Sequence, residues 1–213
     1  MPESYKVKDH TKLGEIAELP YTLQLMMGVD AVRASIGWLA KIPKTDSACD
    51  RADLAIAMIT AMGWCGEAFR LLGKGRKKGH ISGEMLEGNA ALIALWNDLF
   101  TEQRPPLIRK FHRVRDKYFG HWDVEVARDF IGLQARGEQL GPLIESDDKS
   151  GFLRTRYRWA QAAVSHDLVD DPSDLDAMRE LVKDIARTLG TTGNLLSQIV
   201  AALLKKSRLD FEP

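Results

Sequence analysis

Through most of this chain apolar residues return at every third or fourth position, which is the spacing of one helix face. Short alternating Val/Ile/Thr runs separated by turn dipeptides, the mark of strands, do not stand out anywhere. An apolar stripe on a helix has to be covered by another helix, so the pattern predicts an all-α, multi-helix bundle with six to eight helices. With 213 residues the chain can bury roughly 70% of the surface its unfolded form exposes, enough for a core without disulfides or metal.

The first helix is expected from about Pro20 to Lys41, with Leu23, Met26, Met27, Val32, Ile36 and Leu39 as its apolar face. The second, about Arg51 to Leu72, is apolar nearly all round and reads as the central helix, with Gly73 ending it. The stretch from Gly73 to Gly83 then reads as a loop. It holds Lys74, Arg76, Lys77 and Lys78 and no acid. Such a run is either a solvated connection or a phosphate-contacting loop, and its spacing is not that of a P-loop. Further helices are expected at about Glu84 to Thr101, Pro106 to Phe119, Val124 to Gln139, Phe152 to Ser165 and Ser173 to Leu189. Gly190 and Gly193 are expected to interrupt the chain before a last helical stretch to about Leu204. Trp38, Trp64 and Trp96 sit among aliphatics and read as core.

Charge excludes some functions. Lys plus Arg and Asp plus Glu are 30 each, which argues against a sequence-independent nucleic-acid coat protein. Two cysteines, Cys49 and Cys65, are too few for a disulfide framework or a Cys-based zinc site. The most apolar run, Leu54 to Cys65, has 12 residues and is too short to span a bilayer, and Met1 to Gly14 lacks a signal-peptide core. These features lead to the expectation of a cytoplasmic protein without a membrane partner.

One segment departs from the neutral average. Between Arg104 and His121 lie six Arg or Lys side chains and two histidines against one acid, Asp116. A concentrated positive field of this kind attracts phosphate. Within it, Arg115-Asp116-Lys117-Tyr118-Phe119-Gly120-His121 resembles the R-x(4–6)-H motif of HEPN domains, with a polar residue after the Arg. Trp122-Asp123 extends the likeness toward HEPN proteins of abortive-infection type.

The resemblance implies a HEPN-like core at about 20–140 with a helical C-terminal extension at about 150–208, all in one domain. It implies a homodimer and metal-independent RNA cleavage, with no cofactor. Arg115 would stabilise charge on the phosphate, His121 would act as general acid or base, and Asp116 would orient one of them. Lys117, His112, Arg113 and Asp123 are the candidate substrate-contacting residues. RNA is the expected partner, as in toxin–antitoxin or abortive-infection systems, with a separate antitoxin or regulatory protein as a further one. Six residues on an unbroken helix set Arg115 and His121 about 120° apart around the axis. Convergence therefore needs a break at Gly120 or a second chain.

Three other readings stand beside this one. A non-catalytic HEPN-like dimer would bind RNA, nucleotide or a protein. Arg115 and Asp116 could instead be surface ion-pair residues, with His121 capping the helix. A metal site could draw on His112, His121, His166, Asp116, Asp123 and Asp167, but no H-E-x-x-H or E-x-x-H pair occurs and the surroundings of His112 and His121 are basic. Arg154, Arg156, Arg158, Tyr157 and Trp159 form a possible auxiliary RNA surface.

Overall fold

In a computed structural model, the described residues are 6–7, 18–41, 48–117, 144–146, 155–157, 175–207 and 211–212. Five α-helices are present among them: α1 (Leu19–Lys41), α2 (Ala48–Lys77), α3 (Ala90–Phe100), α4 (Pro106–Lys117) and α5 (Leu175–Lys206). A 3-10 turn, Gly83–Leu86, precedes α3. Helix packing dominates: α2 lies against α1, α4 and α5, while α5 also packs on α1 and α3. The helical class expected from periodicity is what the described core shows.

Two short antiparallel pairs accompany the helices: β1 (Lys6–Val7) with β4 (Phe211–Glu212), and β2 (Ile144–Ser146) with β3 (Thr155–Tyr157). The second pair corrects the expected helix at 152–165 at residues 155–157 and the loop expected at 145–151 at residues 145–146, and the rest of both stretches lies outside the described residues. Its register sets Ile144 opposite Tyr157 and Ser146 opposite Thr155. β-branched and aromatic residues favour extended backbone, and three residues are too few for helical periodicity to compete. The expected helix at 124–139 lies outside the described residues.

The core is one cluster. Met58, Met62, Cys65 and Leu72 of α2 meet Leu25 and Val32 of α1, Phe111 and Val114 of α4, and Ile185, Leu189, Leu195, Leu196 and Ile199 of α5. The expected face of α1 is rotated. Its buried residues are Tyr21, Thr22, Leu25, Val32 and Ser35, while Leu23, Met27 and Ile36 are exposed. Trp38 and Trp64 are also exposed, at 60% and 40%, whereas Trp96 is buried as expected. The reason is that α1 carries apolar residues on two sides, and α2 and α5 cover the side holding Tyr21, Leu25 and Val32.

Glycine did not end helices where the sequence suggested. α5 runs unbroken through Gly190 and Gly193, and α2 runs through Gly73 and Gly75. Burial of long apolar faces outweighs the roughly 1 kcal/mol that glycine costs a helix interior. α2 ends at Lys77, and the chain turns away from it at Gly79, which has φ +72°. There the Gly79 N–H donates to the Arg76 carbonyl at 3.1 Å and the His80 N–H to the Gly75 carbonyl at 2.9 Å. This is a Schellman ending, and only a left-handed residue completes it cheaply.

The same end of α2 is anchored to α1. The Tyr21 hydroxyl donates to the Leu71 carbonyl at 3.0 Å, and its ring stacks on His80 at 5.1 Å between centroids. A Cβ at residue 75 would fall on that hydroxyl, so glycine there makes room for the anchor. The third predicted helix is also resolved differently. Ser82 makes no side-chain cap, and Asn89 caps α3 instead by accepting from the Leu92 N–H at 3.3 Å.

Candidate functional site: a basic cleft between α2, α3 and α4

Three choices in the sequence build the site. Gly66 lets α4 approach α2 closely: a Cβ there would lie 2.7 Å from the Phe111 carbonyl oxygen and 2.9 Å from the Arg115 Cβ. Phe111 and Val114 bury the inner face of α4 against the core. Their position on the helix turns His112 and Arg115 toward the end of α2. The linker before α4 is held by Arg104 Nε donating to the Leu99 carbonyl at 3.1 Å and by Arg109 donating to the Arg104 carbonyl at 2.8 Å.

The result is an open cleft of about 860 Å³. α2 contributes Arg70, Lys74, Arg76 and Lys77 to its wall, with Lys78 just beyond. Arg104, His112 and Arg115 face them, and Phe69, Gly73, Leu99 and Phe100 line the rest. No Asp or Glu is among the described residues that line it. Seven guanidinium and ammonium groups around one concavity are costly in mutual repulsion, and an anion relieves that repulsion. The last turn of α2 also benefits from basic residues through the helix dipole.

The individual groups differ in how they are held. Arg70 Nε donates to Glu67 Oε2 at 2.8 Å, and its second contact to Glu67 is shorter still. The Glu67 carboxyl is held below its usual range mainly by that hydrogen bond, with Arg70 and Arg115 adding charge attraction against partial burial. Arg76 lies over the Phe100 ring at 4.6 Å and the Trp96 ring at 6.0 Å. Arg115 Nε donates to Asp116 Oδ1 at 2.7 Å, with a second contact from the same guanidinium. Arg115 is mostly covered, and Asp116 is more than half exposed.

His112 sits in the wall with its ring 5.8 Å from that of Phe69. Its Nε2 is buried without a hydrogen-bond partner. Burial lowers its pKa, Arg104 and Arg115 lower it further, and Asp116 opposes them. His112 is therefore a neutral imidazole at pH 7. Cys65 is remote from this chemistry: it donates to Thr192 Oγ1 at 3.3 Å, and burial pushes its thiol up to about 12.

Of the residues singled out in the sequence, Arg115 and His112 line the cleft, and Asp116 contacts Arg115 from outside it. Arg113 and Lys117 lie on α4 but not in the cleft wall. His121 and Asp123 lie outside the described residues, as do His166, Asp167 and the side chains of the Arg154–Trp159 group. Among the described residues no three His, Cys, Asp or Glu converge as a metal site would require, and no helix is long and apolar enough to cross a membrane.

Arg70 was not legible as a site residue. Its place becomes visible once α2 continues past Gly73, because Arg70, Lys74 and Lys77 or Lys78 then recur at i, i+4 and i+7 or i+8. Comparison with protein-family models, curated protein sequences and solved structures finds no match.

Proposed function

We propose that the protein is a HEPN-like, metal-independent endoribonuclease whose substrate backbone enters the basic cleft and is cut beside Arg115. The observation that carries this reading is the position of Arg115: the first residue of the R-x(5)-H motif opens into a cleft lined by six other Arg and Lys side chains. A fixed guanidinium in a positive cleft is suited to the charge that grows on a phosphate during displacement. Asp116 holds that guanidinium through the two contacts described above.

In the proposed reaction a base takes the 2′-hydroxyl proton and the 2′-oxygen attacks phosphorus. The bond to the 5′-oxygen breaks, and an acid returns a proton to that leaving oxygen. The products are a 2′,3′-cyclic phosphate and a free 5′-hydroxyl. RNA supplies the nucleophile. His121 is the candidate acid or base, contributed by the same chain or by a second copy. A homodimer, or a separate antitoxin or regulatory chain, has apolar surface to use on α1, where Leu23, Met27 and Trp38 are exposed.

The second reading is a helical module that binds RNA without cutting it. It is favoured by His112: the imidazole in the described cleft wall has its Nε2 sealed from solvent and is not placed to serve as the base.

Cleavage of a mixed RNA pool in EDTA by wild type, Arg115→Ala and His121→Ala separates the two. Cleavage by wild type with cyclic phosphate ends, reduced about a hundredfold or more in each variant, supports the nuclease. RNA binding by all three without cleavage assigns the binding module. Equal cleavage by all three overturns both roles.

A further inference from the structure

The end of α2 carries more positive charge than a single scissile phosphate requires. Lys74, Lys77 and Lys78 make no ion pair with any described residue, although all three line the cleft. Their neighbours are already engaged. Arg70 is fixed by Glu67, and Arg76 is spread over Phe100 and Trp96. The three lysines are thus the cations of this wall that remain open to a mobile anion.

Lys74 precedes Lys77 and Lys78 by three and four residues. A step of four residues advances about 6 Å along a helix. That step is comparable to the separation of successive phosphates along one strand. Gly73, just before Lys74, keeps the wall bare opposite Phe100: a Cβ there would lie 3.8 Å from that ring, in space the cleft occupies. The opposite wall is also cationic, through Arg104 and Arg115. A backbone lying between two positive walls must enter the concavity, which suits a single strand and not the flat surface of a bilayer or the wide cylinder of a duplex.

We infer that the C-terminal end of α2 and the turn after it are a phosphate rail: Lys74 at one position and Lys77 with Lys78 at the next hold two consecutive backbone phosphates of the strand beside the bond presented to Arg115. The inference rests on the RNA reading of the cleft and adds to it a docking subsite distinct from the reacting centre. The rail lysines act on binding, and Arg115 acts on turnover.

The test uses fluorescently labelled 2′-O-methyl oligoribonucleotides of two to eight nucleotides, which bind but lack the attacking hydroxyl. Affinity is measured by anisotropy over a range of salt for wild type, for the triple variant Lys74→Gln/Lys77→Gln/Lys78→Gln, and for Gly73→Leu. Glutamine and leucine are good helix formers, so α2 keeps its support. Wild-type affinity is expected to rise with length over the first few phosphates and then level off. The triple variant should bind at least about tenfold more weakly at low salt, with a log–log salt slope shallower by about 1.4, at about 0.7 for each of two lost phosphate contacts on a single strand. Gly73→Leu should lose affinity to a similar extent without any change of charge, because its side chain fills the cleft.

Unchanged affinity and slope in the triple variant would overturn the rail and leave the RNA reading standing. No binding of any oligonucleotide by wild type would overturn both. Binding to phosphatidylserine vesicles as strong as to oligonucleotides, with no dependence on oligonucleotide length, would overturn the rail in favour of a membrane-facing patch. Weakened, less salt-sensitive binding in the triple variant, alongside a wild type that cuts no RNA, would support the rail and overturn the nuclease.

Discussion

The two sides of α2 solve opposite problems. Toward α1 and α5 the helix presents Met58, Met62, Cys65 and Leu72, all without solvent exposure, and the polar groups there are paired, as in the Cys65–Thr192 hydrogen bond. Toward α4 and the end of α3 it presents Gly66, Arg70, Gly73 and Lys74. The first side is filled by its own side chains. The second is emptied, so that the backbone of α4 can come close and a concavity can remain. One side holds the fold together, and the other holds space open beside fixed charge.

The contrast is broken most severely from the filled side. Met62→Ala removes a fully buried side chain at the centre of the cluster, and α1, α4 and α5 cannot all collapse into the gap. The expected loss is about 2–5 kcal/mol in denaturant unfolding. A loss below about 1 kcal/mol would mean that the core around α2 is loosely packed. The emptied side should respond through position. Gly66→Ala gains roughly 1 kcal/mol of helix propensity but drives a Cβ into the Phe111 carbonyl, where the nearest atom is backbone. Overpacking costs about 1–3 kcal/mol, so the net expectation is a destabilised protein with Arg115 displaced. Gly190→Ala is the control of opposite sign. A Cβ there meets nothing within 4 Å, and the protein should gain about 0.5–1 kcal/mol. If both substitutions stabilise, the close approach of α4 to α2 is not as described.

These glycines also mark where the sequence stopped being legible. Val32, Met62, Leu72, Ile185 and Leu189 declare helices and a core by spacing alone, and the described structure agrees. The ends of helices do not declare themselves the same way. Gly73 reads as the stop, whereas the glycine that closes α2 is Gly79. Tyr21 decides between them by anchoring to Leu71 and occupying the room beside Gly75, which lies 54 positions away along the chain. Because α2 continues to Lys77, a run of charge that looks like a solvated loop becomes one wall of a cleft. On α1, the choice of buried face depends on which side α2 and α5 cover, and apolar residues on both sides give no local signal. The motif itself was readable as a string. That Arg115 shares a cavity with Lys74 and Arg104 depends on three helices meeting, which no local pattern encodes.

The smallest expected effect tests the same cleft through pH. His112 has an orphan Nε2 against Phe69, and its folded-state pKa lies below 6.5 because of burial first and the charges of Arg104 and Arg115 second. In the unfolded chain a histidine titrates near 6.5. On acidification the unfolded state therefore takes up a proton before the folded state does. The His112 contribution is fully present above about pH 6.5 and is lost as pH falls through the folded-state pKa. Asp116 opposes the shift, so the effect is bounded. His112→Phe keeps an aromatic ring beside Phe69 and removes the titrating group. Its stability, measured by urea unfolding from pH 7.5 to 5, should fall less on acidification than that of wild type. RNA affinity should change little at neutral pH, because the imidazole it replaces is already uncharged. Parallel acid limbs in the two proteins would show that His112 titrates as it does in water, and that the cleft wall is wetter and less positive than its geometry implies.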